Sequence, residues 1–112
     1  MKDMNYLFGN ANLLSDISAL SSWNTSNVTG MYAMFIFTAI DNVDALETKQ
    51  YDGKDYVSWN TSNVTNMSYM FEDATSLSDI SALSSWDTSS VTYMDSMFDG
   101  VATADRPSWY HE

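Results

Sequence analysis

Val64, Met67, Met70 and Phe71 are apolar positions three, three and one apart, set among Thr65, Asn66, Ser68 and Tyr69. That spacing draws a single stripe along a helix. Thr61, Ser62 or Asn63, just ahead of it, can cap the helix by accepting its free N–H groups. The stripe returns at Val28, Met31, Met34 and Phe35 and again at Val91, Met94, Met97 and Phe98, each behind a polar run containing Thr-Ser. The pattern predicts three capped helices of about 8–11 residues. Their Asn, Ser and Thr lower intrinsic propensity, so packing must hold them. A second pattern, Leu77, Ile80, Leu83 and Trp86, falls on every third residue. It matches neither the period of two of a strand nor the 3.6 of an α-helix. It is read as a short strand near Ile80 to Leu83, followed by a turn at Ser84-Ser85.

The stripes belong to a repeat. Met4 to Phe8, Met31 to Phe35, Met67 to Phe71 and Met94 to Phe98 start 27, 36 and 27 residues apart. Leu14 to Trp23 and Leu77 to Trp86 both read LSDISALSSW, and Asn24 to Thr29 and Asn60 to Thr65 both read NTSNVT. A fixed period in the twenties predicts stacked layers, none of which buries its apolar residues alone. The expected fold is an α/β repeat solenoid, leucine-rich-repeat-like, with about four turns of 27 residues and one helix plus a short strand or coil per turn. The whole chain, 1–112, reads as one domain. The longer second interval predicts an insertion at about 36–58, and Asp52-Gly53 between tyrosines is a hairpin signal. After Phe98 the pattern fails, and 99–112, with Pro107, Trp109 and Tyr110, reads as a C-terminal cap. At the other end Leu7, Phe8 and Leu14 lack a preceding layer, so that open end is expected to be covered, self-association being one way.

Charge narrows the partners. Four Lys plus Arg against 15 Asp plus Glu give −11, a surface that repels phosphates and disfavours direct nucleic-acid binding. No apolar run is long enough to span a bilayer, and the sequence is read as carrying no signal peptide. The absence of Cys excludes disulfides and thiolate chemistry.

The unit Trp-(Asp/Asn)-Thr-Ser-x-Val-Thr-x-Met-x-x-Met-Phe-x-x-Ala, at Trp59 to Ala74, Trp86 to Phe98 and Trp23 to Phe35, and in part at Met4 to Ala11, resembles the repeat of BspA-like bacterial surface proteins. The resemblance implies a leucine-rich-repeat-like fold with a helix in each turn, a secreted or cell-surface setting and a role in adhesion. It carries over no binding residues.

Chemistry-bearing residues are few. The methionines sit at helical spacing and read as core rather than as a soft-metal site. Trp23, Trp59 and Trp86 hold one repeat position and read as core rather than as a sugar-binding ladder. Asp41, Asp44, Glu47, Asp52 and Asp55 do not fit a calcium loop. The Asn-x-(Ser/Thr) triplets fall inside the repeat text, and His111 is the only histidine. No enzyme, metal or cofactor is expected. The reading is a binding module for a protein or glycan, with Tyr51, Asp52, Lys54, Asp55 and Tyr56 of the insertion as its contact residues, since insertions in such folds emerge on one face. The alternative is a small acidic intracellular or phage-encoded inhibitor that occupies the basic cleft of a nucleic-acid-binding enzyme.

Overall fold

The Met-centred segments do not coil into helices. In a computed structural model that describes residues 3–50, 53, 55–101 and 106–110, their backbone N–H groups are shared in alternation. From Met31 to Phe37, the N–H groups of Met31, Ala33, Phe35 and Phe37 donate to the carbonyls of Asn66, Ser68, Met70 and Glu72 at 2.8–3.0 Å. Those of Met34, Ile36 and Thr38 turn back to Met31, Ala33 and Phe35 at 3.3–3.4 Å. Met4 to Asn10 donates in the same manner to 30–36, and Met67 to Asp73 to 93–99. Parallel bridges Asp3–Gly30, Gly30–Asn66 and Asn66–Tyr93 mark the register.

This alternation requires a left-handed residue at every second turn. Tyr6, Ala33, Tyr69 and Ser96, each two residues after the first Met, have φ of 59°, 54°, 61° and 55°. Asn10, Phe37, Asp73 and Gly100, four residues further on, have φ of 65°, 61°, 58° and 81°. An α-helix cannot pass through such residues, and for a non-glycine each costs about 1–2 kcal/mol. The bonds between segments and the burial of Met and Phe offset that cost.

The α/β, leucine-rich-repeat-like solenoid with a helix in each turn is therefore not the fold. Among the described residues there is no α-helix, and regular structure is limited to three 3₁₀ helices and one two-stranded sheet. The body measures 36 × 28 × 23 Å, compact rather than an elongated stack of near-parallel helices. In place of the strand expected near Ile80 to Leu83, the chain forms a 3₁₀ helix. The 3₁₀ helices are η1 (Ser18–Ser22), η2 (Asp44–Leu46) and η3 (Ser81–Ser85). In η3, Leu83 N–H bonds Ile80 and Trp86 N–H bonds Leu83, both at 3.1 Å. A 3₁₀ helix has 3.0 residues per turn, which is the period of Leu77, Ile80, Leu83 and Trp86. Ile40, Val43 and Leu46 repeat the arrangement around η2, all fully buried.

The core is a column of rings. Phe8, Phe35, Phe71 and Phe98 stack in that order with centroids 5.5, 5.5 and 5.7 Å apart and planes within 15°. Met31, Met34, Met67, Met70 and Met97 are fully buried beside them. Trp23 stacks on Trp59, and Trp86 on Trp109. The indole N–H groups of Trp59, Trp86 and Trp109 donate to Leu20, Leu46 and Leu83, the apolar residues of η1, η2 and η3, at 2.7–2.8 Å. Tyr110 meets Phe98 edge-on at 4.9 Å. No buried side-chain polar atom among the described residues lacks a partner.

The polar columns shape turns instead of capping helices. The side-chain oxygens of Asn24, Asn60 and Asp87 accept the N–H of Ser26, Ser62 and Ser89, two residues on, at 3.0–3.1 Å. Asp16 and Asp79 do the same for Ser18 and Ser81. These are Asx turns, in which a short polar side chain stands in for a backbone acceptor. The bonds hold the Asp16 and Asp79 carboxyls below the ordinary value of 3.8, the Ser18 and Ser81 N–H groups mattering most. Asp87 is lowered chiefly by the Ser89 side chain and then by its N–H. A depressed folded-state pKa contributes stability that is complete above the unfolded value and is lost as pH falls through the folded one. Stability against denaturant should therefore fall below about pH 3.8. A triple Asp16→Asn, Asp79→Asn, Asp87→Asn variant should flatten that decline, because Asn fills the same turn at Asn24 and Asn60. An acid limb unchanged by the triple substitution would place the sensitive carboxylates elsewhere.

Candidate functional site: an exposed tyrosine column

The alternating backbone buries Met and Phe and turns some of the residues between them outward, while Ala33, Ile36 and Ser68 stay buried. Tyr6, Tyr32 and Tyr69 fall on that outer side in three successive segments. Their rings meet edge to face, Tyr6–Tyr32 at 5.4 Å and 63° and Tyr32–Tyr69 at 5.5 Å and 72°. Such T-shaped contacts are the favoured geometry for aromatic pairs. Tyr6 is 53% exposed, while Tyr32 and Tyr69 are half-buried. Gly9 leaves Tyr6 its place, since a Cβ there would lie 3.0 Å from the Tyr6 ring and 3.2 Å from Ile36.

Acids border the column. The Tyr32 phenol is pushed up, first by its hydrogen bond with Tyr6, then by burial and by the neighbouring Tyr6, Tyr69 and Glu72. Glu72 is raised by burial and by the carboxylates of Asp73 and Asp99. The result is an aromatic strip with a negative margin, held on a hydrogen-bonded backbone. Its chemistry is that of contact: ring faces for apolar or sugar C–H groups, phenols for hydrogen bonds and carboxylates for cations.

The hairpin that carries the sequence-predicted residues lies between Leu46 and Trp59. Strand β1 (Lys49–Gln50) pairs antiparallel with β2 (Val57–Ser58), Lys49 opposite Ser58 and Gln50 opposite Val57. Gly53 turns the chain with φ +76°. Asp55 is exposed. The half-buried Tyr56 donates its hydroxyl to the Ser22 carbonyl, which ties the hairpin to the end of η1. Thr48 fixes its base, donating from Oγ1 to the Trp59 carbonyl at 2.6 Å and from its N–H to Ser85 Oγ at 2.9 Å. Tyr51, Asp52 and Lys54 lie outside the described residues, as does His111.

A third surface is a hollow of about 580 Å³ between η1 and η2, lined by Asp16, Asp41, Asn42 and Asp44 among others. Asp16 and Asn42 spend their oxygens there on the N–H groups of Ser18 and Asp44. Among the described residues no three acids or histidines are grouped so as to hold a metal ion.

The sequence did not mark the tyrosine column, because its members do not share one repeat position. Tyr6 and Tyr69 stand two residues after the segment's first Met, whereas Tyr32 stands one after. The rings meet diagonally across neighbouring segments, a relation that appears only once the register is known. A tyrosine close behind Met4, Met31 and Met67 was the signal available.

Among known protein families, a model described as a Mycoplasma protein of unknown function, DUF285, matches residues 1–99. No curated protein and no solved structure matches the chain. No helix among the described residues is long and apolar enough to cross a membrane.

Proposed function

Because the chain belongs to the family of Mycoplasma proteins of unknown function, DUF285, we propose that it is a non-enzymatic binding module of a bacterial surface or secreted protein, of the BspA-like kind, that recognises a protein or glycan. The observation that carries this reading is the edge-to-face column Tyr6–Tyr32–Tyr69. Tyrosine supplies wide, amphipathic contact area at small conformational cost, which is why binding surfaces favour it. Hydrogen bonds from each segment to the next fix the spacing of the rings before any ligand arrives, and preorganisation of that kind raises affinity. We take Tyr51, Asp52, Lys54, Asp55 and Tyr56, singled out by the sequence, as further candidate contact residues. The reading requires no cofactor, and the acidic surface disfavours nucleic acid as the ligand.

The test is binding of the purified chain to arrays of glycans and of host extracellular proteins, compared with two variants. Tyr6→Ser/Tyr69→Ser removes two rings from the column. Replacing residues 51–56 by Asn-Gly keeps the β1–β2 pairing in a two-residue turn and removes the hairpin tip. A ligand found for the parent should lose at least about tenfold in affinity with the tyrosine variant, equivalent to 1.4 kcal/mol, while the melting temperature holds. A ligand retained equally by both variants would remove both surfaces from the reading.

A further inference from the structure

Inside the chain, each Met-centred segment is covered by its neighbour in one manner, and the first segment shows the same groups uncovered. The carbonyls of Tyr32, Met34 and Ile36 accept N–H groups from the segment before them. Asn5, Leu7 and Gly9 hold the equivalent places, and their carbonyls accept no hydrogen bond among the described residues. Trp23 is the one tryptophan of four whose indole N–H makes no hydrogen bond among the described residues. Beside it opens a hollow of about 220 Å³, lined by Met4, Trp23, Asn24, Thr25 and Val28. Leu13, close by in sequence, is 90% exposed.

The complement to this face lies at the other end of the chain. The N–H groups of Met94, Ser96 and Phe98 donate to nothing among the described residues, though their equivalents Met67, Tyr69 and Phe71 each donate to the next segment. That end is already engaged by the tail, with Tyr110 edge-on to Phe98 at 4.9 Å and Arg106 over the same ring at 5.2 Å. Trp109 donates to Leu83 at 2.8 Å and lies flat on Trp86, as Trp59 donates to Leu20 at 2.8 Å and lies flat on Trp23. Trp109 thus stands where the tryptophan of a following segment would stand.

We propose that the N-terminal face is a docking surface for the C-terminal face of a second copy of this chain, and that the tail keeps the C-terminal face closed, Trp109 occupying the place of the second copy's Trp23 and Tyr110 the place of its Phe8 against Phe98. The occupant is argued from continuity: the alternating N–H row, the indole bond and the ring stacking that join segments within the chain are the groups left unmatched at its N-terminal face, and at its C-terminal face the N–H row is unmatched while the tail's own rings take the other two places. The contact is head to tail, so it builds open chains rather than closed dimers. Trp109 is tethered, and its effective concentration exceeds that of free chains at ordinary dilution. The net charge of −11 opposes association further, so salt promotes it.

The experiment is light scattering on the full chain and on Trp109→Ala/Tyr110→Ala, which uncovers both Trp86 and Phe98, from about 10 µM to 1 mM in about 0.5 M salt, where charge repulsion is screened. The double variant should show a mass that grows with concentration beyond a dimer, at concentrations at least tenfold below any association of the parent. Adding Trp23→Ala should return it to a monomer. A folded double variant that stays monomeric throughout, or one whose association survives Trp23→Ala, overturns the proposal. So does a parent that associates as readily as the variant. Should the double variant lose its near-ultraviolet circular dichroism, Trp109→Ser/Tyr110→Ser vacates the same places with polar side chains, and the same outcomes decide.

Discussion

Replacing Phe71 by alanine should cost about 3–5 kcal/mol, measured as a fall in denaturant midpoint at unchanged slope. Phe71 is fully buried, with Phe35 5.5 Å away on one side and Phe98 5.7 Å away on the other, both nearly parallel to it. Alanine leaves a ring-sized void between two rings whose separation is fixed by backbone bonds, so the site cannot collapse to fill it. Phe8 is the control. It has Phe35 stacked on it and is only half-buried, so Phe8→Ala should cost distinctly less. Equal losses at Phe8 and Phe71 would show that the column is not what carries the core.

Gly100→Ala should cost about 2–4 kcal/mol, from a left-handed backbone and an overpacked site together. Its φ is +81°, and an added Cβ would lie 2.3 Å from Asp73 Oδ1 and 3.1 Å from Asp73 Cα. The carboxylate can swing away, but the backbone beside it is held by the Asp73 N–H bond to the Asp99 carbonyl at 2.7 Å. Gly53 separates the two contributions. Its φ is +76° and an added Cβ meets nothing within 4 Å. Gly53→Ala should then show the backbone part alone, about 1–2 kcal/mol. Thermal unfolding of the two variants side by side measures the difference, and equal shifts would mean that Asp73 yields freely.

The core was legible in the sequence, and its geometry was not. Met70, Phe71, Trp86 and Met97 recur in the text and are buried, at 0%, 0%, 4% and 0% exposure. Spacings of three, three and one fit a helix, but they fit equally a backbone that turns back every second residue. What decides between them is the residue two after the first Met. It is Tyr6, Ala33, Tyr69 or Ser96, none of which advertises a left-handed conformation. The second left-handed position carries Asn10, Asp73 and Gly100 in three of four segments, residue types that tolerate it, and that was a usable sign. The period of three in LSDISALSSW likewise pointed to a 3₁₀ helix. Asp52-Gly53 marked the hairpin turn correctly in kind, with β1 and β2 pairing around it. The tyrosine column needed the register between segments, which no single segment contains.

The alternating ladder has a consequence for how readily this surface can change. Most of its bonds run from main chain to main chain, with Asn5 Oδ1 and Ser68 Oγ adding acceptors for the Tyr32 and Asp95 N–H groups, so it asks little of most exposed side chains. One residue after the first Met, the four segments carry Asn5, Tyr32, Ser68 and Asp95. Five residues after it they carry Gly9, Ile36, Glu72 and Asp99. Amide, phenol, hydroxyl and carboxylate thus occupy a single backbone setting while the phenylalanine beneath stays the same. A lineage under pressure to alter what it displays, or an engineer grafting new contacts, can rewrite the exposed positions of that face, such as Tyr6, Asp95 and Asp99, and leave the frame underneath untouched.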